Sequence, residues 1–555
     1  MAPQSQVFDQ LGRTTEQEAQ PVESQKREPG PSVPGHVIAL VGVFTLVGLL
    51  VRLPGFRSSL FGDELSTYYV VAGHSLSRVL RLVESTQETS PPLYFVIAWA
   101  TRGILHNQGQ SLRLVSLVTG TAMIPLTFLL GLMTVGRRAA LIAAALVALS
   151  PTMIMDSSEA RPFMLAAFFV VLSTLSMLRA LRSGRTGWWV AYACFTSATA
   201  YTHYTAVFLL AFQLAWALWT QPRARTPLVV ANIAAALTYL PWVNGLREDL
   251  HAPNYISLIA PFNAHTVETI LESVWIVSGP LTVALLVTGL LIGGYGIALK
   301  LKDGTLRIRW QPSSRVFLLV LLAFGPTVVI ILYSAIRADI FATPFLIFSW
   351  PAWALLIGAL VCAPPRPLWT FAVGLTVAAY AVGATRMLGE RALKPDIDAV
   401  VSYIGHTGRP NDPIVCQCLS DGPLSELDVA VADAGLSQEY PVLRLGAPSK
   451  AETLRPLSGP NPRPGVFYPP PPTAQVVAHQ AAARAHGGTI FLVTYTLHGD
   501  LRTAYARLSP PDHLVAQRRQ FLAALPAQYH IADRRSYTGS SGQDVETVYT
   551  LSAVP

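Results

Sequence analysis

Residues 37–66 read VIALVGVFTLVGLLVRLPGFRSSLFGDELS and combine an apolar run with an acidic pair. The run over 37–53 is long enough to cross the hydrocarbon core of a bilayer as a helix, which needs about 17–25 residues. Asp63 and Glu64 follow shortly after the run ends. The stretch therefore predicts a transmembrane helix that leads into an acidic loop at the membrane surface.

Similar apolar runs recur along the first two thirds of the chain. The composition is 51% hydrophobic and only 13% charged, too few charges for the surface of a soluble protein. We expect an all-α polytopic membrane domain of about 11 transmembrane helices. The predicted spans are 37–53, 112–133, 139–155, 162–180, 187–203, 205–220, 227–243, 273–299, 316–336, 341–362 and 367–386.

The composition divides the chain into three parts. Residues 1–36 are rich in Gln, Glu, Pro and Ser and predict a disordered cytoplasmic tail. Residues 37–389 are the predicted transmembrane domain, and residues 390–555 predict a small extracytoplasmic α/β domain. The expected elements of this last domain are helices at 397–404 and 474–486 and strands at 413–417, 488–495 and 545–551, the last at a sheet edge.

The four cysteines predict neither a zinc site nor a disulfide framework. Cys194 and Cys362 fall inside apolar spans, while Cys416 and Cys418 lie two residues apart on a predicted strand, where side chains rarely bridge. The chain has no Cys/His spacing typical of a zinc site.

The formal net charge of +8 is explained by membrane topology rather than by nucleic acid binding. The segment 91–105 is apolar but short, begins with Pro91 and contains Arg102. If this segment lies at the surface without crossing, the basic loops fall on one side of the membrane and most acids on the other. The positive-inside rule then predicts a cytoplasmic N-terminus and an extracytoplasmic C-terminal domain.

The acidic pair is the first candidate site. Transfer of a sugar to a hydroxyl requires a base that accepts the proton of the acceptor, and Asp63 or Glu64 is suited to that role. The alternative is a solvated pair that begins a helix, since Asp after Gly is a common N-cap.

A second candidate cluster follows the third predicted span, in the segment Asp156-Ser-Ser-Glu159-Ala-Arg161. Asp156 and Glu159 are three residues apart, as on one helix face, and Arg161 is suited to a phosphate group. Interfacial snorkelling of an Arg–Glu pair is the alternative interpretation. His203 and Arg337 are further candidates for substrate binding on the same side, although aromatic-belt and membrane-flanking roles also explain them.

These motifs, in this order and spacing, resemble the multi-pass glycosyltransferases of the GT-C fold, in particular the protein O-mannosyltransferase and aminoarabinose-transferase branch. After the acidic pair come five further matches. They are Ser90-Pro-Pro-Leu-Tyr94, Ser111-Leu-Arg113, Arg137-Arg-Ala-Ala140, Ser150-Pro151 with Glu159-Ala-Arg161, and Thr202-His-Tyr204. The resemblance covers residues 37–220 well and 316–412 loosely.

The resemblance implies an inverting transfer from a polyprenyl-phosphate sugar, with Asp63 as the catalytic base. It further implies that Glu64 assists with the acceptor or a metal, that Arg161 and Arg337 contact the donor phosphate, and that a divalent cation, Mg or Mn, takes part. The stretch after Arg337 lacks the Arg-Tyr pair of the family.

We therefore expect a glycosyltransferase that acts at the outer face of the membrane on a glycan, lipid or protein acceptor. Mannose is the first choice of sugar and arabinose the second. The preference for Arg over Lys and the richness in Ala and Val are typical of a high-GC bacterium, whose envelope carries such sugars, so we expect the chain in the inner membrane of a bacterial cell. A multi-pass transporter or flippase of a lipid-linked precursor is the alternative, and would need ionisable residues inside the spans. An inactive scaffold that binds glycan is the third possibility.

Overall fold

The structure is a computed structural model of the chain. It describes residues 33–60, 62–84, 88–250, 262–265, 267–268, 270, 279–303, 314–336, 340–390, 396–417, 425–445, 473–496, 511–538 and 545–553. The chain divides into two compact units, residues 1–40 and 41–555. The predicted disordered tail lies almost entirely outside the described residues, and the domain boundary near residue 390 stays a prediction.

Long apolar helices dominate the chain up to residue 390. These helices are α1 (Gly35–Arg57), α2 (Glu64–Val71), α3 (Leu76–Leu82), α4 (Leu93–Thr101), α5 (Gln108–Thr134), α6 (Arg137–Leu149), α7 (Pro151–Asp156), α8 (Phe163–Ser183), α9 (Thr186–Ala200), α10 (Val207–Thr220), α11 (Arg225–Thr238), α12 (Val243–Leu250), α13 (Pro280–Lys302), α14 (Arg315–Ile336), α15 (Thr343–Leu346), α16 (Trp350–Val361) and α17 (Leu368–Glu390). Short 3-10 turns occur at Pro222–Ala224, Leu240–Trp242 and Ile347–Ser349.

Each predicted span coincides with helix where the structure describes it, and the polytopic all-α class is confirmed. Eight helical segments among the described residues are long and apolar enough to cross a membrane. The other three predicted spans correspond to α6 with α7, to α9 and to α10, which are shorter. The doubtful segment 91–105 forms only α4, whose nine residues rise about 14 Å, far less than a hydrocarbon core of about 30 Å.

The third predicted span is broken in two because Ser150-Pro151 interrupts it. The Ser150 side chain accepts a hydrogen bond from the Met153 amide at the start of α7. The buried guanidinium of Arg52 in α1 donates to the last carbonyls of α6, those of Val147 at 3.1 Å and Ala148 at 3.2 Å. A cation at a helix C-terminus satisfies these otherwise unpaired carbonyls. Arg52 therefore stabilises the end of α6, where the chain breaks before α7.

The segment after residue 395 is the predicted α/β domain, and its class is confirmed. Its elements are α18 (Ile397–Thr407), β1 (Ile414–Gln417), α19 (Glu426–Asp433), β2 (Val442–Arg444), α20 (Ala474–Ala485), β3 (Thr489–Thr496), α21 (Pro511–Ala524), β4 (Tyr529–Thr538) and β5 (Val545–Ala553). The strand order is β2-β1-β3-β5-β4. Strand β1 pairs parallel with β2 and β3, whereas β5 pairs antiparallel with β3 and β4.

Alternation along β1 builds a core on each face of this sheet. Ile414 and Cys416 pack with helices α18 and α19, while Val415 between them packs with α20 and Phe521 of α21. Successive side chains of a strand point to opposite faces, so one short strand serves both layers. Each fully buried side chain of this size contributes about 1.5–3 kcal/mol.

Two predictions about this domain are wrong. Strand β5 was expected at an edge, but β4 covers it. The sequence of β4 is polar enough that the strand is not apparent in the sequence, and pairing with β5 alone makes it a strand. The absence of a disulfide is also wrong, because Cys416 is disulfide-bonded. The prediction rested on regular strand geometry, and β1 ends one residue later, at Gln417; Cys418 lies outside the described residues.

Candidate active site

The Asp63 carboxylate is presented at the start of α2 by a tight turn. Gly62 has φ +62°, a left-handed conformation that glycine adopts without strain. Asp63 occupies the N-cap position, but its side chain makes no capping hydrogen bond and is exposed. Asp63 is therefore a solvated residue that begins a helix, as the alternative interpretation expected, but it makes no capping bond, and its carboxylate is available to solvent and substrate.

The neighbouring carboxylate has the opposite environment. Glu64 is 1% exposed and forms a two-pronged ion pair with Arg113 of α5, with Oε1 2.6 Å from Nε and Oε2 2.6 Å from Nη2. The Ala160 amide also donates to Oε1 at 2.7 Å. Paired donors in this geometry make one of the stronger side-chain contacts. Glu64 is thus committed to protein contacts, which do not fit its predicted role as a metal ligand.

Arg113 extends this contact to the loop that leads into the acidic pair. Its Nη1 donates to the carbonyls of Phe56, at 3.2 Å, and Ser58, and its Nη2 donates to the carbonyl of Ser59 at 2.9 Å. The guanidinium is fully buried and uses all of its nitrogens. The side chain of Arg113 therefore fixes both ends of the turn that presents Asp63.

The acidic pair and the segment 156–161 are in direct contact. Besides the bond from the Ala160 amide to Glu64, the Thr67 hydroxyl of α2 donates to the Ala160 carbonyl at 2.8 Å. Gly120 of α5 permits this approach, because a Cβ there would collide with the Ser157 side chain. The loop between α7 and α8 thus packs directly on the start of α2.

Asp156 closes α7 and is buried, with both carboxylate oxygens lacking a hydrogen-bond partner among the described residues. Burial, followed by the charge of Glu159, raises the pKa of Asp156 well above its usual value. The prediction that Asp156 and Glu159 share a helix face is wrong, because the helix ends at Asp156 and Glu159 lies in the following turn. The two carboxylates remain close enough to interact.

Arg161 lies beside Asp63 and is held by Glu88. Its Nη1 donates to the two oxygens of Glu88 at 2.9 and 3.1 Å and to the main-chain oxygen of Asp63 at 3.2 Å. Burial lowers the pKa of Arg161, but the carboxylates of Glu88 and Asp63 raise it by more, so the net direction is upward. Arg161 is therefore a permanent cation next to the exposed carboxylate.

His203 lies close to this cation but in an aromatic setting. It is 5% exposed, and its Nδ1 accepts a hydrogen bond from the Thr205 amide at 3.3 Å. The rings of Phe163, Phe345 and Phe348 surround the imidazole with centroid distances of 5.2–5.3 Å. Phe163 also faces Arg161, at 5.9 Å. Arg337, the remaining candidate, lies outside the described residues.

Sequence reasoning missed two residues that organise this site. Arg113 was noted only as part of a motif, and Glu88 was not singled out. The one available signal for Arg113 was a charge at the start of an apolar span, since such a charge is costly unless it is paired. Nothing local distinguishes Glu88 from the exposed Glu84 nearby, because its partner lies 73 residues away in sequence.

The α/β domain contacts the loop that precedes Asp63. The Asp398 amide of α18 donates to the Ser59 hydroxyl at 3.3 Å, and Val429 of α19 belongs to the same hydrophobic cluster as Leu60 and Leu65. A cleft at this contact is lined by Ser58, Ser59, Leu60, Asn107, Gly109, Asp398, Glu426, Val429, Ala430 and Asp433. The domain is thus in contact with the elements that carry the site.

Comparison with known proteins gives a match to one family over part of the chain and several solved structures of similar fold. The family described as dolichyl-phosphate-mannose-protein mannosyltransferase matches residues 89–243. Curated protein sequences yield no match. Three solved structures illustrate the fold. ArnT from Cupriavidus metallidurans bound to undecaprenyl phosphate is 14% identical, with 93% of this chain and 98% of that chain covered and a TM-score of 0.51.

The apo state of the same ArnT is also 14% identical and covers 92% and 98% of the two chains, with a TM-score of 0.52. The apo oligosaccharyltransferase of Archaeoglobus fulgidus is 13% identical over 87% and 72% of the chains, with a TM-score of 0.47, too low to carry an argument. At these identities the likeness establishes architecture alone. The helices and the C-terminal sheet domain described above, together with the match over residues 89–243, identify this chain as a multi-pass membrane protein of the GT-C glycosyltransferase fold.

Proposed function

We propose that the chain is an inverting glycosyltransferase that moves a sugar from a polyprenyl-phosphate donor to an acceptor at the outer face of the membrane. One observation carries the proposal. An exposed carboxylate without a hydrogen-bond partner among the described residues, that of Asp63, lies beside a permanent cation with unfilled donors, that of Arg161. A base next to a phosphate-binding group is the minimum that such a transfer requires.

In the proposed reaction, Asp63 accepts the proton of the acceptor hydroxyl as its oxygen attacks the anomeric carbon. The bond between that carbon and the phosphate oxygen breaks, and the polyprenyl phosphate leaves with the electron pair. Arg161 stabilises the charge that develops on the leaving phosphate. A single displacement of this kind inverts the anomeric centre. Glu64 and Arg113 touch no reacting atom and act only by holding the turn.

A divalent cation, Mg or Mn, remains part of the proposal, but with a different ligand from the one expected. Both oxygens of Glu64 are engaged, whereas those of Asp156 are buried without a partner among the described residues, and Glu159 lies nearby. No group of three acidic, His or Cys side chains in the described part of the chain suits a metal ion. A cation of this kind often takes only one or two carboxylates, with water and the substrate phosphate as its other ligands. Asp156 and Glu159 would be those carboxylates, and the bound cation would neutralise phosphate charge.

The finer details of the proposal rest on the relatives and on the chain's chemistry. ArnT shares the fold and was crystallised with undecaprenyl phosphate, which supports a polyprenyl donor. The matching family transfers mannose from a dolichyl phosphate, which supports mannose before arabinose. The disulfide of Cys416 is typical of an oxidising compartment, in agreement with a C-terminal domain outside the bacterial inner membrane. The acceptor is a glycan, a lipid or a protein.

Purified protein incubated with radiolabelled polyprenyl-phosphate mannose and envelope extract tests the proposal. We expect label in a new product and expect Asp63→Asn to reduce its formation about 100- to 10,000-fold, because a general base is lost. Donor binding should be unchanged, since the variant preserves the shape of the side chain. Polyprenyl-phosphate arabinose offered in competition identifies the preferred sugar.

The matched control is Glu84→Gln, a second exposed acid that follows the acidic pair in sequence and takes part in none of the hydrogen bonds and ion pairs described above. It should transfer at the wild-type rate. An Asp63→Asn variant that transfers as fast as wild type would exclude Asp63 as the base. Movement of intact donor across a vesicle membrane without any product would favour the transporter instead.

A further inference from the structure

We propose that Glu88 is a positioning residue that aims the guanidinium of Arg161, so that the Nε–Nη2 edge of this group stays open for the phosphate of the donor. The inference rests on the proposed function, because it takes Arg161 to be the phosphate ligand. No sequence motif pointed to Glu88, and its role follows from three observations.

The first observation is how Glu88 binds Arg161. Both oxygens of Glu88 accept from the same nitrogen, Nη1, at 2.9 and 3.1 Å. The two side chains are 3% and 12% exposed for Glu88 and Arg161, so water does little to loosen the pair. The main-chain oxygen of Asp63 accepts from the same Nη1. One corner of the guanidinium is therefore saturated with acceptors.

The second observation is the opposite edge. The Nε atom of Arg161 is buried and has no hydrogen-bond partner among the described residues. The hydrogen bonds that the described residues make with this side chain all use Nη1. An Arg normally binds a carboxylate with two parallel N–H donors, as Arg113 does with its Nε and Nη2. The Nε–Nη2 edge of Arg161 is the edge that a phosphate would take in that geometry.

The third observation is the nearness of the base. Arg161 already contacts the Asp63 main chain, and the carboxylate of Asp63 is exposed. Without Glu88, the guanidinium is free to turn and pair with the carboxylate of Asp63, since opposite charges on neighbouring side chains attract each other. Such a pair would occupy both the phosphate ligand and the base. Glu88 thus keeps the cation and the base apart while leaving each beside the substrate.

A double-mutant cycle with Glu88→Ala and Arg161→Ala tests this inference. Each single variant should raise the KM for the polyprenyl-phosphate sugar about ten-fold or more, because the charge-assisted bonds to the phosphate are lost or misaligned. The double variant should be no worse than Arg161→Ala alone, because Glu88 acts only through Arg161. A purely structural role of Glu88 would instead give additive losses. Polyprenyl phosphate without a sugar serves as the binding probe.

Glu88→Gln provides the second variant, since it is nearly isosteric and keeps one acceptor for Nη1. It should show a smaller rise in donor KM than Glu88→Ala, and Glu84→Gln should show none. If Arg161→Ala leaves the donor KM unchanged, the proposed function loses its phosphate ligand. If Arg161→Ala raises the KM but Glu88→Gln and Glu88→Ala do not, only the positioning role fails. Additive losses in folded protein also reject it.

Discussion

Two ion pairs between an arginine and a glutamate lie beside each other at the start of α2, and they differ in how many of their hydrogen-bonding groups are used. Arg113 and Glu64 are buried, and the guanidinium and both carboxylate oxygens of this pair are used. Arg161 and Glu88 are joined through a single nitrogen, and a buried donor remains unpaired. Identical residue types therefore serve two purposes. A saturated pair, whose donors and acceptors are all used, can only stabilise the fold, whereas an unsaturated pair keeps a hydrogen-bond donor for a ligand.

The largest expected effect concerns the saturated pair. Arg113→Ala leaves the Glu64 carboxylate buried without its cation and releases the carbonyls of the preceding loop. Removal of one partner of a buried ion pair costs about 3–5 kcal/mol. The thermal midpoint of purified protein in detergent should fall sharply, and activity should be lost together with the fold.

Asp63→Asn is the matched variant for that comparison, because it alters the adjacent residue, whose side chain makes no capping bond and is exposed. Its thermal midpoint should equal that of the wild type although activity is lost. Should Arg113→Ala melt like the wild type, the saturated pair would not be the structural element described here.

An intermediate effect is expected at Glu426 of α19, a buried carboxylate without a full ion pair. Burial, offset in part by its own amide and by Arg444, raises the pKa of Glu426 to about 7. Because this folded-state pKa exceeds the usual glutamate value of 4.5, the folded chain binds the proton more tightly than the unfolded chain does. Stability is therefore complete below pH 4.5 and falls as the pH rises through 7, by about 3 kcal/mol in total.

Glu426→Gln should remove most of this pH dependence, so that the variant exceeds the wild type in thermal midpoint at pH 8 and matches it at pH 4. Limited proteolysis across this pH range measures the same difference. Asp398 and Asp433, whose pKa values burial also raises, remain in the variant and preserve a weaker slope. Glu439→Gln, at an exposed position of the same domain, is the control and should leave the wild-type slope intact. Equal slopes for wild type and Glu426→Gln would contradict the prediction.

The smallest effect is expected at the contact between the α/β domain and the first loop. Ser59→Ala removes one hydrogen bond from the Asp398 amide, and a neutral bond of this kind contributes about 0.5–1.5 kcal/mol. Arg113 still holds the carbonyl of residue 59, so the turn should persist. The donor KM should change less than two-fold. A loss of activity as large as that of Asp63→Asn would show that the α/β domain, and not Arg113, holds the turn.

Much of the fold could be predicted because membranes and strands impose periodic patterns. The apolar runs coincide with helices, and strands β1 and β3 lie within a residue of their predicted positions. There are two exceptions, one with a local cause and one that depends on strand pairing. Ser150-Pro151 splits one span, because Pro151 lacks the amide donor that the helix ladder needs and Ser150 caps the new helix that begins there, whereas α5 continues through Pro125. Strand β4 is polar, and only its pairing with β5 makes it a strand.

The site could be located from the sequence but not resolved into roles. The sequence singled out the acidic pair and the segment 156–161 as candidates, and the contacts of the folded chain bring the two together. The chemistry of the residues did not distinguish Asp63 from Glu64, which are adjacent and carry the same charge, and only the family resemblance assigned the role of base to Asp63. The difference arises from Arg113, which reaches only one of them.

The sequence by itself determined that this chain crosses a membrane repeatedly, that an α/β domain follows, and that carboxylates and arginines gather at the loops. Those features depend on composition and period, which are local properties of a chain. Only the tertiary structure decided which charges are satisfied. The partners of Glu64 and Arg161 lie 49 and 73 residues away, and pairing over such separations depends on how the helices pack.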